Sequence, residues 1–130
     1  MNIVLDTNVL VSALWSPGRK PGEIVGAAIA GRFKLCYDFR ILDEYERVLR
    51  YPKFRFREWE IRALLEPLIQ NGLSVVADPL PQVPFTDPSD RKFYEVARYC
   101  GAPLVTGNLA HYPEEAQVMS VARLYERYMS

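Results

Sequence analysis

The sequence has no surplus of charge. Sixteen Lys and Arg offset sixteen Asp and Glu in 130 residues, so the formal net charge is zero. A surface that binds a polyanion must therefore be local rather than a property of the whole chain. Cysteine is scarce, with only Cys36 and Cys100, and there is one histidine. That excludes a disulfide framework and a zinc-ligand spacing, and leaves two thiols that read as small buried hydrophobes. No apolar run approaches the length of a membrane span, and the first residues lack the pattern of a secretory signal. The expectation is a cytoplasmic protein with no membrane association. There are no internal repeats or low-complexity segments, and no glycine-rich turn follows the first apolar stretch, which disfavours a dinucleotide-binding module. With 49% apolar and 25% charged residues, disorder is excluded. At this length one domain spanning 1–130 is expected, able to bury roughly two-thirds of its unfolded surface.

What is present begins at the first residue. Met1-Asn2-Ile3-Val4-Leu5 runs without alternation into Asp6-Thr7-Asn8. Such a run reads as a strand buried on both faces, and Asp6 then stands at its carboxyl end, where open α/β sheets bind ligands. Asp6 could equally cap the helix predicted over Val9–Trp15. A second helix is predicted over 21–31, with Pro21 in its first turn and Gly31 at its end. Phe33–Tyr37 reads as the second strand. The next helix, Asp38–Leu49, carries Ile41, Leu42, Tyr45, Val48 and Leu49 on one face. Asp43, Arg47 and Arg50 fall opposite, while Glu44 and Glu46 flank the stripe; periodicity does not choose between them, although Glu44 lies nearer the sheet edge. A helix over 58–71 contains Pro67, and Leu73–Ala77 reads as the third strand. Asp78–Pro88 is a proline-rich ordered loop. Asp87 and Pro88 open another helix with Asp90 close to a capping-box position, and Phe93, Tyr94, Ala97 and Cys100 form its buried face. Leu104–Thr106 is a fourth strand leading into Gly107-Asn108, residues 117–120 a short fifth, and 121–129 a last helix. Strands alternating with helices imply an α/β fold with a parallel sheet covered on both faces.

Right-handed crossovers bring Asp6, Glu44, Asp90 and Asn108 toward one edge of that sheet. Clustered carboxylates repel one another unless a cation sits among them. Hard oxygen donors without a matching His or Cys set point to Mg²⁺ or Mn²⁺, which suits phosphoryl chemistry. Each residue also has a plain reading: Asp90 a cap, Glu44 a solvated flank, Asn108 a turn residue. His111 reads as a structural loop residue.

Four stretches together resemble the PIN domain ribonucleases: Val4-Leu5-Asp6-Thr7-Asn8-Val9; the helix from Leu42 to Tyr51 followed by Pro52-Lys53; Asp87-Pro88-Ser89-Asp90; and Leu104-Val105-Thr106-Gly107-Asn108. The likeness is greatest to small prokaryotic PIN proteins of toxin–antitoxin pairs. The resemblance implies a three-layer α/β/α fold with about five parallel strands and a metal-dependent endoribonuclease acting on single-stranded RNA. It also implies an antitoxin partner and a homodimer. The family's three acidic metal-binding positions match Asp6, Glu44 and Asp90, which settles Glu44 over Glu46 by resemblance. A fourth, often Asp, matches Asn108, whose amide carries no charge. Asp87 is an auxiliary ligand candidate, and Thr7, Asn8 and Thr106 are expected to orient the carboxylates.

Arg47, Arg50, Lys53, Arg55, Arg57 and Arg62 interleave with Tyr51, Phe54, Phe56 and Trp59. Basic and aromatic residues together suit single-stranded nucleic acid. The plainer reading is a solvated helix–loop–helix whose aromatics pack inward, diluted by Glu58 and Glu60. Two rival functions stand beside the nuclease. One is a haloacid-dehalogenase-type phosphatase, against which Asn8 occupies the position where that chemistry wants a second Asp. The other is a PIN fold that binds without cleaving, motivated by Asn108.

Overall fold

The computed structural model describes residues 1–129. Strands β1 (Asn2–Leu5), β2 (Lys34–Tyr37), β3 (Leu73–Ser74), β4 (Leu104–Val105) and β5 (Val118–Met119) form one all-parallel sheet in the order β3-β2-β1-β4-β5. Ile3, Val4 and Leu5 are each fully buried, as a central strand covered on both faces requires. Six helices cover the sheet: α1 (Thr7–Trp15), α2 (Lys20–Ile29), α3 (Phe39–Val48), α4 (Glu58–Gln70), α5 (Arg91–Cys100) and α6 (Val121–Tyr128). Helices α3 and α5 pack on each other, while α2 packs against α1, α4 and α6. Single 3-10 turns lie at Pro52–Phe54, Pro88–Asp90 and Leu109–His111. The fold is α/β, as the alternating pattern implied.

Helix α1 starts at Thr7, two residues before its apolar pattern does. The Asp6 backbone carbonyl accepts from Val9 N at 3.0 Å, and the Asp6 side chain makes no capping bond. Its carboxylate is thereby left for other partners. Asp38 does cap α3, accepting from Ile41 N at 3.0 Å. The stripe that packs α3 inward, Ile41, Tyr45 and Leu49, has no exposed surface. Buried Tyr45 donates its hydroxyl to the Leu5 carbonyl at 2.5 Å, which ties the middle of α3 to the end of β1.

Strand β3 is shorter than the five residues predicted. Val75 N still bonds the Tyr37 carbonyl at 2.9 Å, but β3 is an exposed edge whose one neighbour, β2, ends at Tyr37, where Asp38 already caps α3, so nothing remains for Val76 and Ala77 to pair with. Just before β3, a Cβ at Gly72 would meet the Leu68 carbonyl oxygen at 2.7 Å and the Leu35 carbonyl oxygen at 2.8 Å, so only glycine lets α4 end so close to β2. The loop that follows is fastened from α5: Arg91 donates to the Leu80 and Val83 carbonyls, and Glu95 accepts from Leu80 N at 2.7 Å. Cys36 is buried in β2 and Cys100 half-buried at the end of α5, with neither in a disulfide. Burial, with the neighbouring Cys100 thiol, pushes Cys36 up to about 12, which makes it inert at neutral pH. Among the described residues no helix is long and apolar enough to cross a membrane.

Candidate active site

A parallel sheet delivers all its strand ends to one edge, and here the ends of β1 and β4 are adjacent. Asp6 follows β1. Its Oδ2 accepts two hydroxyls, Thr106 Oγ1 beyond β4 and Tyr112 OH, each at 2.9 Å. Thr106 Oγ1 in turn accepts from Asn108 N at 3.0 Å. Glu44 lies in the second turn of α3. One of its oxygens accepts the Thr7 hydroxyl and the other stands 2.7 Å from Lys92 Nζ. Asp90 sits where the Pro88–Asp90 turn passes into α5, with His111 Nδ1 3.1 Å from its Oδ2. The Asn108 amide nitrogen is 3.2 Å from His111 Nε2.

The carboxylates feel one another. Burial chiefly, and the Glu44 charge in addition, raise the Asp6 carboxyl above its ordinary value, although the hydroxyls of Thr106 and Tyr112 pull it down. Asp90 is raised by burial first and then by the charges of Asp6 and Asp87, against the opposing influence of His111. Asp87 is lowered, because the Ser89 backbone N–H and hydroxyl both donate to it. Its Oδ1 is therefore spent as a cap on the turn that carries Asp90. Buried Tyr112 is held firmly in its neutral form by desolvation and by the acids around it, so it donates and never competes for the acidic site.

The structure thus brings Asp6, Glu44 and Asp90 to one edge, with Asn108 beside them. Glu46 is exposed instead and pairs with Arg50. Thr7 reaches Glu44 and Thr106 reaches Asp6. Asn8 reaches neither acid: its Oδ1 accepts from Gly107 N at 2.9 Å and so fixes the turn before Asn108. His111, expected as a structural loop residue, ends the Leu109–His111 3-10 turn and touches both Asp90 and Asn108. Two residues at this edge gave no signal in the sequence. Lys92 has no periodic reason to face Glu44, and Tyr112 is a lone aromatic after a turn.

The basic segment is arranged differently from a continuous patch. Arg50 is taken up by Glu46 and by Glu58 at 2.8 Å, and Arg62 also pairs with Glu58. Phe54 stacks on Tyr51 and Phe56, and Trp15 meets Phe54 and Phe56 edge-on, so these rings are satisfied by each other. Lys53 lies over the Phe54 ring. Arg55 holds a left-handed backbone after the 3-10 turn, and the backbone N–H of Arg57 bonds Glu60 at 2.8 Å. Arg47 is different. It remains half-exposed, 3.9 Å from exposed Asp43, on the α3 side facing α5.

Three carboxylates and an amide oxygen are a hard-donor set, suited to Mg²⁺ or Mn²⁺ and not to softer metals. Among the described residues no three His, Cys, Asp or Glu side chains converge into a ready-made metal cluster. A search of the curated proteins returns no match to the chain. A family model described as PIN domain, whose members are typically nucleases that generally use divalent metals, matches residues 2–110. That span runs from β1 through Asn108 and takes in every acidic residue of the site. The chain belongs to the PIN domain family.

Proposed function

We propose that the chain is a Mg²⁺- or Mn²⁺-dependent endoribonuclease that cleaves single-stranded RNA, and the toxin member of a toxin–antitoxin pair. The observation that carries the reading is the gathering of Asp6, Glu44 and Asp90 at one sheet edge, close enough that the charge on Glu44 raises Asp6 and the charge on Asp6 raises Asp90. Asp6, Glu44 and Asp90 would hold the ion, with Asn108 offering a neutral oxygen and Asp87 an auxiliary one. When bound, such an ion supplies Lewis-acid activation of water and charge neutralisation on the phosphate. The chain's own part is to fix the ligands. Thr106 and Tyr112 clamp one oxygen of Asp6, Thr7 holds Glu44, and Lys92 places a positive charge beside Glu44 where an RNA phosphate would approach. The toxin role, the antitoxin partner, the cytoplasmic setting and the homodimer rest on the likeness of the four sequence stretches; growth arrest on expression in bacteria and mass in solution test them.

The second reading is a PIN fold that binds RNA or protein without cleaving, favoured by the uncharged Asn108. Mn²⁺ titration with parallel cleavage assays separates the two. Asn108→Asp is expected to bind Mn²⁺ about tenfold more tightly, since it adds charge to the donor set. It should also melt lower than the parent in EDTA, because it adds a fourth carboxylate to groups that already repel. Tyr112→Phe is expected to bind Mn²⁺ about tenfold more weakly, the usual cost of losing a group that orients a ligand. Calorimetric titration reads both. No Mn²⁺ binding by the parent or by Asn108→Asp, with intact folding, would favour the binding module.

A further inference from the structure

Between the start of α3 and the Pro88–Asp90 turn lies an open cleft of ≈ 470 Å³, lined among others by Phe39, Arg40, Arg47, Ser89 and Lys92. It opens directly beside the carboxylates, because Lys92 contacts Glu44 and Ser89 precedes Asp90. Phe39 is 79% exposed, and among the described residues its ring meets no other aromatic ring. A phenylalanine in the first turn of a helix, this far exposed and outside the buried core, is not explained by core packing. An isolated exposed hydrophobe would be ordinary; this one shares its cleft with Arg40, Arg47 and Lys92, each paired with a carboxylate, and with Asp43, at the mouth of an acidic site. Arg40 is held rigidly by buried Asp38 and Glu95, and two of a guanidinium's five N–H groups stay unused there. Among the described residues Arg47 is opposed only by Asp43 at 3.9 Å, and it donates to Tyr51 OH.

An aromatic face flanked by cations is the element that binds single-stranded nucleic acid, because bases stack on the ring while phosphates meet the charges. We propose that this cleft is the subsite for a nucleotide flanking the scissile phosphate, with its base stacked on Phe39 and its phosphate against Arg47 and Lys92. The inference rests on the ribonuclease reading and adds to it where the RNA lies. It also moves the RNA contact from the run Arg50–Arg57 to residues on the facing side of α3 and α5. A duplex, whose base faces are covered, is excluded from such a platform.

The test uses a single-stranded RNA carrying one 2-aminopurine, bound in EDTA and checked for integrity afterwards. Phe39→Ala should weaken binding about tenfold and abolish the fluorescence quench, while melting at the parent's temperature. Phe39→Trp should restore both signals. Arg47→Ala should instead flatten the slope of log affinity against log salt by about 0.7, the share of one phosphate. Unchanged affinity and quench in Phe39→Ala would overturn the subsite even if the parent cleaves RNA with Mn²⁺. Loss of binding in Phe39→Ala with no cleavage by the parent would keep the subsite and remove the nuclease. A parent that neither binds nor cleaves overturns both.

Discussion

Asp6→Asn is expected to lose RNA cleavage by about a thousandfold or more and, at neutral pH, to melt a few degrees above the parent. The first effect follows if Asp6 is a ligand, because an amide cannot replace a carboxylate's charge at the metal, and several kcal/mol of transition-state stabilisation amount to that factor. The second follows from burial. Asp6 is 6% exposed, and its carboxyl is raised above the ordinary value chiefly by desolvation, with Glu44 adding to it. The folded state therefore holds the proton more tightly than the unfolded state. In the window between the unfolded value and the raised one the native chain carries more protons, so stability falls as pH rises through it and the cost persists above. Asparagine never ionises and escapes that cost, so its advantage should be present at pH 7 and vanish below about pH 4. Its side-chain oxygen can still accept from Thr106 and Tyr112. Asp6→Ala removes that acceptor and leaves the protons of two buried hydroxyls without their partner, a loss of about 1–3 kcal/mol. Asparagine is thus the cleaner substitution, and thermal melts between pH 4 and pH 8 check the sign.

Arg40→Ala is expected to be the most destabilising of the substitutions considered. Its guanidinium bridges Asp38 and Glu95, at 2.6 Å and 2.8 Å, and each of those carboxylates has a side chain only 3–4% exposed. Asp38 also caps α3, and Glu95 also receives Leu80 N from the proline-rich loop. Removing the one cation leaves two buried charges uncompensated, which costs about 3 kcal/mol, the low end for broken buried pairs because Arg40 is itself partly exposed. For a domain of this size that lowers the melting temperature by about 10 °C. Adding Glu95→Gln to Arg40→Ala should recover part of the loss, since a neutral amide oxygen still accepts from Leu80 N. If the double variant is no more stable than the single one, the uncompensated charge is not the cause.

The strand-end Asp6 was legible because three fully buried β-formers run straight into it, a pattern with few alternatives. The inward stripe of α3 was legible for the same reason, since Ile41, Tyr45 and Leu49 recur at helical spacing and all reach zero exposure. Glu44 was favoured over Glu46 by its place nearer the sheet edge and settled by resemblance, not by periodicity. In the structure Glu44 is held by Thr7 and Lys92, while Glu46 faces solvent beside Arg50. Tyr112 and Lys92 were not legible. Each reaches its acid across a long stretch of chain, Tyr112 to Asp6 over 106 residues, and neither belongs to a periodic pattern. Glu95 was hidden differently: it lies on the buried side of α5, where apolar periodicity would place no charge unless a partner such as Arg40 is supplied by another helix. The basic run from Arg47 to Arg62 was visible as composition, but composition cannot show that Glu46 and Glu58 absorb Arg50, or that Phe39 stands exposed beside Lys92 instead.

The most direct measurement is Mn²⁺-dependent cleavage of a mixed set of single-stranded RNAs by the parent and by Asp6→Asn, side by side. The account predicts cleavage by the parent that stops in EDTA and is absent in Asp6→Asn, while the variant melts no lower than the parent at pH 7. Equal cleavage by Asp6→Asn, or cleavage by the parent that persists in EDTA, would contradict it.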